Sequence, residues 1–147
     1  MNRTWLWLGL CLGLLACGPP HKVSRSFDDG CWPSSDTLSF DYQTGSSPVK
    51  AVVDLTLQSD FATQNIFLKL RYGAGDKPWR EVLWGDTLMS PEGEWLTDVN
   101  GDKVKWTMSQ GPVLALDPEQ SYQFQLYHFM RDSLVCAVRE VGLRLVE

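Results

Sequence analysis

Ten consecutive residues, Val49–Gln58, read VKAVVDLTLQ and alternate with a period of two. Val49, Ala51, Val53, Leu55 and Leu57 fall on one side, and Lys50, Asp54, Thr56 and Gln58 on the other. Only an extended strand puts every second side chain on one face; a helix would scatter these apolar groups around its axis. The same period returns at Leu38, Phe40 and Tyr42, and again at Ile66, Leu68, Leu70 and Tyr72. It continues at Val82 and Trp84, at Val104, Trp106 and Met108, at Tyr122, Phe124, Leu126, His128 and Met130, and over 141–146.

Turn formers punctuate these runs: Thr44-Gly45-Ser46-Ser47-Pro48, Gly73-Ala74-Gly75-Asp76, Pro91-Glu92-Gly93, Asn100-Gly101-Asp102 and Asp117-Pro118. Asn100-Gly101 is the best hairpin signal, because both residues tolerate positive φ. A helical turn is expected only at 92–100, around Trp95-Leu96. Seven or eight short strands with regular turns predict an all-β fold, an antiparallel β-sandwich of immunoglobulin-like or jelly-roll-like kind. The polar residues on the outer faces fit sheets with one wet side.

The 147 residues suffice for one such domain, and 44% hydrophobic residues can fill its core. A net charge of −5 argues against a nucleic-acid surface and against binding anionic lipid through basic patches. Seven tryptophans suit a sandwich core and a binding face equally.

The N-terminus obeys different rules. Met1-Asn2-Arg3 is a short charged start, and 5–16 is almost continuously apolar. That run is shorter than the roughly 20 residues a membrane span needs, and has the length of a signal-peptide core. It ends in Leu14-Leu15-Ala16-Cys17, followed by Gly18-Pro19-Pro20, which stops any helix. The ending resembles the lipobox of bacterial lipoproteins, where the cysteine becomes the lipidated first residue. The resemblance implies a signal peptide over 1–16, a lipidated Cys17 with a tether over 17–26, and a β-sandwich domain over 27–147. Sorting rules of such lipoproteins, with no Asp after the cysteine and no acidic run in 19–27, imply the outer membrane, facing the periplasm.

Chemistry-bearing motifs are few. His21 lies in the tether and His128 lies mid-strand, where a lone histidine is usually a hydrogen-bonded structural residue. Neither metal-ligand spacing nor a phosphate loop nor a nucleophile elbow is present, so no catalytic residue, metal or cofactor is expected. Asp98-Val99-Asn100-Gly101-Asp102 departs from a calcium loop, with Lys103 and Ser109 where Gly and Glu belong; a hairpin turn is the better reading. Cys31 and Cys136 face an oxidising compartment after export, and two readings stay open: a disulfide or two separate buried thiols. Asp36-Thr37-Leu38, Asp86-Thr87-Leu88 and Asp132-Ser133-Leu134 resemble the O-glycosylation site of exported Bacteroidetes proteins, implying Thr37, Thr87 and Ser133 as acceptors. Asp-Thr and Asp-Ser also sit at strand ends simply because their side chains bind backbone groups.

The C-terminal third reads Tyr122-Gln123-Phe124-Gln125-Leu126, then Phe129-Met130-Arg131-Asp132-Ser133-Leu134, then Val141-Gly142-Leu143-Arg144-Leu145. Upstream stand Trp32, Leu38-x-Phe40, Phe61-Ala62-Thr63-Gln64-Asn65-Ile66 and Gly93-Glu94-Trp95-Leu96. In this order the pieces, with the lipobox, resemble the gliding-motility lipoproteins of the GldH family across nearly the whole chain. Two departures stand out: family members tend to have Gly near Cys136, and a Gly-Lys-Gly-like stretch where this chain has Thr97-Asp98-Val99. The resemblance implies a lipoprotein that supports the gliding apparatus of Bacteroidetes, linked to type IX secretion, without known enzymatic activity. Its partners would be the membrane, through the lipid anchor, and other envelope motility or secretion proteins.

From the residues themselves, Met130-Arg131-Asp132-Ser133-Leu134 breaks the alternation. It reads as a turn with an Arg131–Asp132 surface pair, or as a partner-binding face built from Arg131 and Trp95, since Arg and Trp are common hot-spot types. Two rival functions carry their own requirements. A carbohydrate-binding sandwich would need Trp79, Trp84 or Trp106 exposed along a shallow groove. A small hydrolase would need a nucleophile beside His128.

Overall fold

The computed structural model describes residues 22–45 and 48–147. Twelve strands, and no helix, form among them: β1 Lys22–Ser26, β2 Cys31–Pro33, β3 Leu38–Gln43, β4 Val49–Gln58, β5 Asn65–Gly73, β6 Arg80–Thr87, β7 Val99–Asn100, β8 Lys103–Met108, β9 Val113–Leu114, β10 Ser121–His128, β11 Leu134–Cys136 and β12 Val138–Val146. All pairings are antiparallel. One sheet runs β1-β12-β4-β8-β7, with β9 also on β4; the second runs β3-β10-β5-β6; β2 and β11 form a two-stranded clip. Antiparallel neighbours are joined by a tight turn at β7–β8 and brought together from distant parts of the chain at β1–β12, β4–β12 and β3–β10.

The alternating residues meet where the pattern sends them. Val53, Leu55 and Leu57 of β4 and Leu143 of β12 are buried, as are Ile66, Leu68 and Leu70 of β5 and Phe124 and Leu126 of β10, all in one core cluster. Each fully buried Leu or Ile is worth about 1.5–3 kcal/mol relative to exposure. Phe124 anchors an aromatic group: Phe40 and Tyr72 stack on it at 5.3 and 5.7 Å, and Tyr42 meets it edge-on at 6.2 Å.

Three expectations need correction. The tether does not extend to Ser26: Lys22–Ser26 is a strand, pairing residue by residue with Glu140–Arg144 of β12. Its polar side chains concealed it, because an edge strand with a wet face is held by backbone bonds rather than by apolar alternation. No helical turn forms at 92–100. Gly93, at φ 86°, lets Ser90 and Glu94 close a tight loop; Ser90 N–H donates to the Glu94 carbonyl, and the Ser90 hydroxyl accepts from the Glu92 and Glu94 amides. Finally, twelve strands replace seven or eight, since two-residue and three-residue strands carry too little pattern to be read. Asn100 does pair with Lys103 across a two-residue turn, with Gly101 at φ 63°.

Candidate functional site

One end of the sandwich gathers the connections 59–64, 88–98 and 129–133 together with the clip. The clip sets its geometry. Cys31 lies directly opposite Cys136, with Cα atoms 3.9 Å apart, and the two sulfurs are bonded at 2.05 Å. Between them the strands present Trp32 and Val135, both buried. The Trp32 indole N–H donates to the Asp36 carbonyl at 2.7 Å, and the ring meets His128 edge-on at 5.2 Å.

His128 is buried, and its Nδ1 accepts from the Met130 amide at 3.4 Å. Burial pushes the imidazole below its ordinary value, and the carbonyls of Trp32 and Ser133 do not compensate. The ring is therefore a neutral packing element. The cysteines nearest it in the fold are bonded to each other rather than poised as nucleophiles.

Arg131 and Trp95 share a neighbour rather than a contact. Trp95 packs against Phe61 with ring centroids 6.5 Å apart and donates its indole N–H to the Ser59 carbonyl. Phe61 also lines a pocket of about 140 Å³ with Thr63, Arg131, Leu134 and Val135. Arg131 is exposed, and among the described residues it forms no ion pair; the Arg131–Asp132 pair that adjacency suggests is not made.

A larger surface adjoins this pocket and escaped the sequence reading. The outer face of the four-stranded sheet carries Phe67, Leu83 and Phe129, which are 46%, 51% and 50% exposed. Phe67 lies opposite Gly85, and its ring occupies the space where a Gly85 Cβ would stand, 2.4 Å from that position. Trp79 covers Gly73 in the same way. Lys69 sits 4.2 Å from the Phe129 ring centre, and Arg71 sits 5.3 Å from that of Trp79. Phe129 N–H donates to the Phe67 carbonyl at 2.7 Å, so the surface runs unbroken into 129–131. The signal was present: an outward-phase aromatic on one strand and a glycine on another. Only the register makes them partners.

Among the described residues, Trp79, Trp84 and Trp106 do not share one exposed groove. Trp84 and Trp106 point between the sheets, opposite the buried Leu68 and Leu55, while Trp79 lies on the outside of the second sheet. A broad depression lined by Thr97, Asp98, Asn100, Asp102, Lys103 and Lys105 mixes lysines with its acids, and Asp102 is paired with Arg139. Among the described residues no group of three or more His, Cys, Asp or Glu could hold a metal ion.

Of the three hydroxyls in Asp-Thr/Ser-Leu triplets, Thr37 is half-buried, with its hydroxyl 3.5 Å from that of Ser39. Thr87 is exposed and donates to the Asn65 side chain at 2.8 Å. Ser133 is exposed, and its carbonyl accepts from the Ser34 amide. Cys17 lies outside the described residues.

Fold and site together define a class: a small disulfide-clipped β-sandwich with an exposed aromatic surface on which Lys69 and Arg71 both pair with Glu81. The chain belongs to the GldH lipoprotein family, whose model matches residues 21–145. That family is one of membrane-associated lipoproteins, named for gliding motility. No curated protein and no solved structure gives a significant match.

Proposed function

We propose that this protein is a non-enzymatic lipoprotein, anchored through Cys17 to the outer membrane on its periplasmic side. There it serves as a structural or assembly component of the gliding-motility machinery linked to type IX secretion. Family membership supports the motility assignment. The observation that carries the assembly role is the outer face of β5 and β6. Phe67, Leu83 and Phe129 form an apolar centre, Lys69 and Arg71 lie beside it with Glu81 paired to both, and Arg131, which forms no ion pair among the described residues, stands at its margin. Protein interfaces have this anatomy, with aromatic and arginine anchors inside a polar rim. Phe67 is held in place over Gly85, so little side-chain freedom is lost when a partner covers it. The partner is another envelope protein of the motility or secretion apparatus.

A photo-crosslinking residue at position 83, activated in native envelopes and followed by mass spectrometry, tests this reading. Recovery of motility or secretion components supports it, provided that Phe67→Ser or Arg131→Ala abolishes the crosslink while the thermal midpoint stays unchanged. Crosslinks only to lipid or to unrelated abundant proteins would overturn it.

A further inference from the structure

A second exposed surface lies at the opposite end of the molecule. Val113 of β9 lies directly across from Lys50 of β4, and Lys50 directly across from Val146 of β12. Residues opposed in this way share one face of a sheet. Their neighbours Val49 and Leu114 point into the core, so the row Val113-Lys50-Val146 stands on the outer face. Val113 is 67% exposed and Val146 41%. Within two residues along the strands comes Lys22 of β1, opposite Arg144 of β12. Arg144 is neutralised by Asp54 at 2.6 Å, and the nearby Glu147 carboxylate accepts from the Tyr42 hydroxyl at 3.1 Å. Lys22 and Lys50 form no ion pair among the described residues. Glu147 keeps its charge but turns toward the buried Tyr42, so the outer face of this corner presents two lysines without an ion pair among the described residues, beside two exposed valines.

The chain outside the described residues says what covers it. Cys17 precedes Lys22 by five residues, a span of at most about 18 Å even fully extended. Through Arg144, Lys22 registers with Val52, near the Val49 end of β4. The Gln58 end, with Arg131 and the clip, is six residues further along β4, roughly 20 Å away. A lipid on Cys17 thus draws the end of the sandwich that carries the Val113-Lys50-Val146 corner toward the bilayer before the Arg131 end.

We propose that this corner is a lipid-contacting surface. Val113 and Val146 meet the headgroup layer of the membrane that holds the Cys17 acyl chains, and Lys22 and Lys50 pair with its anionic phosphates. The contact orients the domain, so that the Arg131 end projects away from the membrane toward its partner. The inference rests on the anchoring of Cys17 proposed above.

The test uses the mature chain, isotope-labelled, in nanodiscs of phosphatidylethanolamine and phosphatidylglycerol containing a nitroxide headgroup lipid. Amide signals of Lys50, Val113 and Val146 should broaden severalfold more than those of Thr63 and Arg131. The exposed double substitution Lys50→Glu with Val113→Asp should remove that difference while leaving the amide spectrum of the core unchanged. Equal broadening at the two ends, or stronger broadening near Arg131, would overturn the proposal when intact mass shows acyl chains on Cys17. A bare Cys17 would overturn the anchoring reading instead. The same measurement on chain coupled through the Cys17 thiol to a maleimide lipid then decides the surface alone, by the same two outcomes.

Discussion

The Trp106 indole N–H reaches across from one sheet to the other and donates to the Asp86 carboxylate at 2.8 Å. Trp106 belongs to β8 and Asp86 to β6, the last strand of its sheet. An inward-pointing charge on an edge strand also deters pairing with another chain. One bond thereby closes the open side of the sandwich and protects its edge.

Trp106→Phe keeps the ring but removes the donor, leaving Asp86 without its indole partner. A hydrogen bond to a charged group, partly exposed as here, should make this cost about 1–2 kcal/mol. Urea denaturation measures it. Asp86→Asn keeps an acceptor and should lose less; equal loss from the two would show that charge matters more than the bond.

Reducing the Cys31–Cys136 bond releases a loop spanning a sequence separation of 105. By the loop-entropy argument the loss is about 4–5 kcal/mol. Unfolding curves with and without reductant, and with Cys31→Ala plus Cys136→Ala, should agree. A double variant as stable as the oxidised protein would show that the clip is held by Trp32 and Val135 packing alone.

Ala137 adopts φ 63°, a left-handed conformation that disfavours any residue with a Cβ, between the clip and β12. Ala137→Gly should stabilise the fold by roughly 0.5–1 kcal/mol, the relief of strain exceeding the entropic cost of glycine. A rise in thermal midpoint checks it. The resemblance to a family with glycine near Cys136 points the same way.

Gly111 has the opposite requirement. A Cβ there would stand 1.8 Å from the Ala51 carbonyl oxygen, where backbone cannot give way cheaply, and the Ala51 amide already bonds the Pro112 carbonyl. Gly111→Ala should cost about 3 kcal/mol or more, read by chemical denaturation.

Two groups set the acid limit. Burial raises the Asp54 carboxyl, but hydrogen bonds from Arg144 and Thr107 and the charges of Arg144 and Lys22 outweigh it, so the folded value lies below the ordinary one. Its contribution is whole above the unfolded value near pH 4 and fades as the pH falls through the folded value. His128 is also lowered in the fold, by burial. The unfolded chain takes up that proton first, so stability declines as the pH drops below about 6.5. Stability measured between pH 7.5 and pH 5 should fall in the wild type and less in His128→Gln. Asp54→Asn should flatten only the more acidic part.

Much of this molecule could be read from its chain. Period-two alternation at Val49–Gln58 and Ser121–His128 is local, so it states which side chains turn inward before any partner strand is known. Turn chemistry is local too: Gly101 makes its hairpin where Asn-Gly predicts one. The polar strand Lys22–Ser26 was invisible because its order comes from β12, not from its own side chains. The same holds for the surfaces. Arg131 was legible as a break in the pattern, whereas Phe67 over Gly85 and Val113 beside Lys50 exist only once a register is chosen.

The sequence by itself determined the fold class, the inward faces and the family-like pieces, because these depend on residues close together in the chain. Tertiary structure alone decided that Cys31 meets Cys136, that Trp106 reaches Asp86, and that one end of the sandwich carries Arg131 while the other carries the start of β1. Each of those joins residues from different strands. Their juxtaposition comes from burying both sheets in a single core, and no short stretch of the chain encodes it.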